Sequence, residues 1–157
     1  MKRARSKFNI SSDTAKRTYD GVVYDSELEM RFYRDFVLPK MGSGAIRECE
    51  RQVPYELIPK YSHDIYKNGV VVKSENVRAT VYVADFVLTW KDGHKEVIDT
   101  KGMPDGVAKI KRKLFWNVYP NIDYKWVTCV KKFGGWIDYD ECKKLRNAEK
   151  RTKKERK

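Results

Sequence analysis

The segment "VYVADFVLTWKDGHKEVIDTKG", residues 81–102, sets three chemically capable side chains into two strand-like apolar runs. Asp85 lies in the first run, Asp99 and Lys101 in the second. Burying a carboxylate or an ammonium is costly unless the group is paired, hydrogen-bonded or bound to metal. Side chains alternate along a strand, so Asp99 and Lys101 point the same way, about 7 Å apart. Asp85 depends on the turn. A two-residue loop at Asp92-Gly93 sets Asp85 opposite Thr100 and sends the carboxylates to opposite faces. A three-residue loop, Lys91-Asp92-Gly93, sets Asp85 across from Asp99 with Lys101 on the same face. Its last position needs a left-handed backbone, which glycine accepts, and this register is favoured. A bulge nearer the site would have the same effect. Carboxylates directly opposed across a strand pair repel. A divalent cation removes that repulsion, and hard oxygen donors suit Mg²⁺ or Mn²⁺. A solvated surface cluster is the plain alternative; the flanking Val83, Val87 and Val97 favour an enclosed site.

These groups need elements to hold them. "TYDGVVYDS" reads as a short hairpin turning at Asp20-Gly21. "SELEMRFYRDFVLP" reads as a helix, with Ser26 as N-cap, Leu28, Phe32 and Phe36 recurring on one face, and Pro39 as its stop. Residues 46–58 are strand-like, and Asn68-Gly69 is a hairpin turn into "VVVK". "DGVAKIKRKLFWNVYP" is amphipathic, with Val107, Ile110, Leu114 and Val118 expected to face the core. "DYKWVTCVKK" reads as a further strand, "FGGW" as a turn, and the basic end as a helix that frays. The pattern predicts an α/β chain with one mixed sheet flanked by helices.

A chain of 157 residues with 41% hydrophobic and 13% aromatic content suffices for one buried core. No apolar run is long enough for a membrane span and no secretory leader opens the chain, so a cytoplasmic protein is expected. Cys49, Cys129 and Cys142 are odd in number and form no CxxC pair, which argues against a disulfide framework or a zinc site. The net charge is +12, with +5 in residues 1–19 and +7 in residues 143–157, so residues 20–142 are neutral. The expected organisation is a basic arm over residues 1–18, one domain over 19–142 and a basic tail over 143–157. Basic arms around a neutral body favour a polyanion, above all nucleic acid. The tail has almost no apolar face for a membrane.

With two acids and a lysine on adjacent strands, the chain resembles the PD-(D/E)XK nuclease superfamily. Ala84-Asp85 stands for the Pro-Asp element and Asp99-Thr100-Lys101 for the second. "YDGVVYDSELEMRFY", "RATVYVADFVL", "VIDTKG" and "KIKRKLFWNVYP" are similar, in order over roughly residues 19–130, to small phage-encoded members of poorly defined function. The resemblance implies a restriction-endonuclease-like core with its site at one sheet edge. It also implies a metal-dependent DNA endonuclease acting in phage DNA processing in the host cytoplasm. Branched DNA such as a Holliday junction is a plausible substrate, and a homodimer the assembly seen in several junction-resolving members.

By position, Asp85 and Asp99 would hold Mg²⁺ or Mn²⁺, with the Thr100 carbonyl as a further ligand. Lys101 would orient or deprotonate the attacking water. Glu29, on the first helix, would add an acid; Ser26-x-x-Glu29 is also a capping box. Gln52 falls where the family often has a glutamine near the site. The helix after the motif would grip a phosphate backbone through Lys109, Lys111, Arg112 and Lys113. Alanine in place of the signature proline removes no chemistry, and Asp99 in place of the commoner glutamate shortens the reach by one methylene. The competing function is a non-catalytic nucleic-acid-binding protein on a degenerate nuclease fold. RNA binding or cleavage is a third reading.

Overall fold

The computed structural model describes residues 13–155, so the N-terminal arm through residue 12 lies outside the described residues. β1 (Thr18–Tyr19) and β2 (Val22–Val23) pair across Asp20-Gly21, both at positive φ as this tight turn requires. α1 (Glu27–Phe32) starts where expected: Ser26 Oγ accepts from the Glu29 N–H at 3.1 Å. Pro39 does not stop the helix. One π turn, Tyr33–Val37, carries the chain into α2 (Leu38–Gly42), and the Leu38 N–H bonds the Tyr33 carbonyl. Proline lacks an N–H and crowds the carbonyl four residues back; a widened turn before it accommodates both.

The chain continues as β3 (Ile46–Ile58), β4 (Tyr61–Lys67), β5 (Val70–Val77), β6 (Thr80–Trp90) and β7 (Lys95–Thr100). α3 (Gly106–Val118), β8 (Asp123–Val130), β9 (Gly135–Asp138) and α4 (Tyr139–Glu155) complete it. β9 is a strand that the glycine-rich "FGGW" does not announce. The central sheet has five strands in the order β3-β6-β7-β8-β9. β7 and β8 are parallel, joined through α3, and the other neighbours are antiparallel. The chain is therefore α/β, with one mixed sheet flanked by helices. β4 and β5 form a separate hairpin on the Asn68-Gly69 turn, with Tyr66, Val70 and Val72 exposed.

Each sheet face buries its own cluster. Tyr24, Met30, Phe32 and Val37 pack with Phe86, Leu88 and Ile98 on the α1 side. Phe115 of α3 packs with Tyr82, Ala84, Val87, Val97, Tyr124 and Trp126 on the other. Phe86 and Leu88 thus go to one cluster and Tyr82 and Ala84 to the other, so the alternation of β6 changes phase around Asp85. Opposite Asp85 on β3, Gln52 adopts φ 53° and breaks the regular pairing with β6.

α3 forms where expected, capped by Asp105, but it is rotated. Val107 and Ile110 are 62% and 61% exposed, while Arg112 and Phe115 are buried. The Phe115 ring lies 5.0, 5.5 and 4.4 Å from those of Tyr55, Tyr82 and Tyr124. Burying one large ring in an aromatic nest outweighs burying the smaller aliphatics of the expected stripe. α4 runs through the boundary expected between residues 142 and 143, anchored by the buried Cys142.

Candidate active site

The turn between β6 and β7 is the three-residue loop. Trp90 N–H bonds the His94 carbonyl at 2.9 Å, Gly93 has φ 89°, and Phe86 pairs with Ile98. That register aims Asp85 toward Asp99, but the ladder ends one pair short of them. Beyond Phe86 the strands no longer pair, and the Thr100 N–H has no carbonyl to meet from β6. Asp85 takes the place of that carbonyl. Thr100 donates its N–H at 2.7 Å and its hydroxyl at 2.8 Å to Asp85 Oδ2. The strand irregularity at Asp85 and Gln52 therefore opens a gap in which a carboxylate is fixed.

Asp99 is 1% exposed. Lys101 Nζ lies 2.7 Å from Asp99 Oδ1, and the Tyr124 hydroxyl donates to Oδ2 at 3.5 Å. Trp126 Nε1 in turn donates to the Tyr124 oxygen at 2.6 Å. Burial and then the Asp99 charge raise the pKa of the Tyr82 and Tyr124 phenols, so both stay protonated against this carboxylate. Burial, followed by the Asp99 charge, also pushes the Asp85 carboxyl well above the usual range. Glu29 adds to that rise, while Lys101 and the Thr100 N–H oppose it.

Glu29 is 1% exposed and belongs to the same electrostatic cluster, yet both its oxygens are engaged. Oε2 accepts from the Asp25 N–H at 3.1 Å, and Oε1 accepts from Gln52 Nε2 at 3.0 Å. The cap is therefore Ser26 holding the Glu29 N–H, while the glutamate side chain turns inward. Burial raises its pKa first, and the Gln52 hydrogen bond lowers it. Arg51, missed in the sequence, lies 3.8 Å from Glu29 Oε1 with its guanidinium 3.9 Å from the Tyr24 ring centroid. Arg51 beside Gln52 in "ERQVPYEL" is the only signal that could have found it.

The structure thus brings together Glu29, Gln52, Asp85, Asp99, Thr100 and Lys101. Thr100 reaches Asp85 through its N–H and hydroxyl. Among the described residues no group of three or more His, Cys, Asp or Glu is arranged to hold a metal. Asp85 and Asp99 alone make a hard-oxygen pair with a charge conflict. Such a pair fits a magnesium-like ion, which binds through one or two carboxylates and keeps most of its water.

The helix residues divide. Lys109 and Lys113 are exposed. Lys111 Nζ donates to the Val81 carbonyl at 2.9 Å, tying α3 to β6. Arg112 is a correction: it is not a free phosphate contact. It is 8% exposed, its guanidinium carbon lies 4.4 and 4.3 Å from the Trp116 and Trp126 ring centroids, and it pairs with Asp140 at 2.5 Å. The rotation that buries Phe115 carries Arg112 inward with it.

The chain matches, over residues 5–135, a family described as "Protein of unknown function (DUF1064)". It belongs to the DUF1064 family. All six clustered residues lie inside the matched span, whereas α4 lies beyond it, outside the DUF1064 match. A comparison with curated proteins finds no match. Among the described residues no helix of this DUF1064 member is long and apolar enough to cross a membrane.

Proposed function

We propose that the protein is a metal-dependent DNA endonuclease with a restriction-endonuclease-like core, acting in DNA processing on branched or otherwise interrupted duplexes. One observation carries this reading: Asp85 leaves the β ladder to cap the Thr100 N–H, beside a buried Asp99 paired with Lys101. A structural ion pair needs no second carboxylate forced against it.

Asp85 and Asp99 would hold Mg²⁺ or Mn²⁺. The bound ion supplies an acidified water and neutralises charge on the phosphoryl oxygens. Thr100 fixes the Asp85 carboxylate, and Tyr124 and Lys101 fix that of Asp99, so neither acid reorganises during the reaction. The Lys101 ammonium orients the attacking water and faces the oxygen on which negative charge grows. The water oxygen bonds to phosphorus and releases its proton to solvent, the phosphorus–oxygen bond to the leaving strand breaks, and the leaving oxygen takes up a proton from solvent. Glu29, held by Gln52, contributes negative field at the rear of the site.

Incubation with linear, nicked and four-way DNA plus Mg²⁺ tests this reading. Wild-type protein is expected to cut at least one substrate, and Asp99→Ala to lose about a hundredfold or more. Cleavage by both proteins, or by neither, overturns the assignment. The engagement of both Glu29 oxygens favours one alternative, a DNA-binding protein without cleavage. Binding by wild type with no product at any Mg²⁺ concentration would select it.

A further inference from the structure

Trp116 stands out among the tryptophans. The residue is 45% exposed on the flank of α3, while its neighbour across Arg112, Trp126, is buried. The Arg112 guanidinium carbon lies 4.4 Å from the Trp116 centroid, and Asp140 holds Arg112 at 2.5 Å. The indole is therefore seated on a fixed cation while nearly half of the residue stays exposed. A large apolar ring exposed in a defined orientation has already given up the rotamer freedom that binding would otherwise remove.

Two cations share this flank. Lys109 and Lys113 precede Trp116 at helical spacing, both are exposed, and neither has an ion-pair partner among the described residues. Along the axis Lys109 and Lys113 are separated by about 6 Å, and Lys113 and Trp116 by about 4.5 Å. α3 begins at Gly106, a short connection after Lys101, and Lys109, Lys113 and the indole follow one another along it. Val107, Ile110 and Val118 lie on the opposite flank.

We propose that Trp116 is a stacking platform for a nucleobase of an unpaired strand, whose phosphates contact Lys109 and Lys113. The inference rests on the nucleic-acid reading above and narrows its substrate to DNA with a single-stranded segment beside the cut. Within a duplex the base faces are stacked on one another, so apart from the two ends none is free to cover the indole. Arg112 acts only as the fixed support beneath the ring.

The test is equilibrium binding, without divalent ions, of fluorescent oligo(dT) and of a blunt duplex of equal length. Trp116→Leu keeps an apolar cover over Arg112 but removes the π face. It is expected to weaken oligo(dT) binding about tenfold while changing duplex affinity by less than about twofold. Trp116→Phe, which keeps a ring, is expected to stay within about threefold of wild type on oligo(dT). Lys113→Ala should weaken both ligands. Equal loss on both ligands for Trp116→Leu, no loss on oligo(dT), or Phe as weak as Leu overturns the platform. Wild-type protein binding neither DNA overturns the nucleic-acid reading itself.

Discussion

At the scale of single residues, the strained group is Asp85. Its folded-state pKa is raised, so at pH between the unfolded and folded values the folded chain holds a proton that the unfolded chain has released. Stability contributed by such a group falls as pH rises from the ordinary aspartate value, about 4, through the folded value. In divalent-free buffer, Asp85→Asn should therefore be more stable than wild type at neutral pH by about 1–2 kcal/mol. Asparagine keeps an oxygen for the Thr100 donors while losing the charge. The advantage should vanish toward pH about 4, where wild-type Asp85 is protonated as well. Urea unfolding across pH measures this, and equal stability of both proteins at every pH would remove the charge conflict from the site. The conflict also gives a metal readout independent of cleavage. Excess Mg²⁺ should raise the melting temperature of wild type and leave that of Asp85→Asn almost unchanged.

At the scale of elements, the decisive one is α3, where one rotation sorts the cations. Arg112→Ala removes a buried guanidinium stacked on two indoles and leaves Asp140 unpaired; a loss of about 2–3 kcal/mol is expected. Lys109→Ala and Lys113→Ala should stay within about 0.5 kcal/mol. Chemical denaturation of the three variants decides it, and an innocuous Arg112→Ala would return that residue to the surface. The same rotation shows where the sequence stopped being legible. The helix itself was readable from periodicity and Asp105, but its phase was not. Phase depends on which residue the other layer accepts, and Phe115 finds three tyrosines contributed by β3, β6 and β8. The β6–β7 register was readable because Gly93 alone suits the last loop position. The end of that ladder at Asp85 was not, since it follows from the irregular backbone of Gln52 on a third strand. Tyr124 and Trp126 look like ordinary strand aromatics, and only the Tyr124 bond to Asp99 and the Trp126 bond to Tyr124 mark them as supports. Pro39 misled for a related reason: a π turn is chosen by the packing of Phe32 and Val37, which no local signal carries.

At the scale of the whole molecule, charge is partitioned between a neutral body and basic ends, and the structure gives one end a shape. α4 continues as a helix to Glu155 and is rooted on the sheet by its first turns. Removing residues 146–157 should leave the melting temperature within a few degrees of wild type. It should also lower the slope of log affinity against log salt by about one unit or more. A slope that does not move would reject a polyanion-binding role for this segment. The family match stops at residue 135, before α4, so the acids and the basic helix are separable in sequence.

β7 receives its second partner late. β6 folds onto it through a three-residue loop, whereas β8 arrives only after the whole of α3 has been made. During synthesis the strand bearing Asp99 therefore has one open edge, and Asp99 lacks the phenol that later caps it. A nascent chain emerging from the ribosome is thus open to misassociation at this edge until the return strand docks.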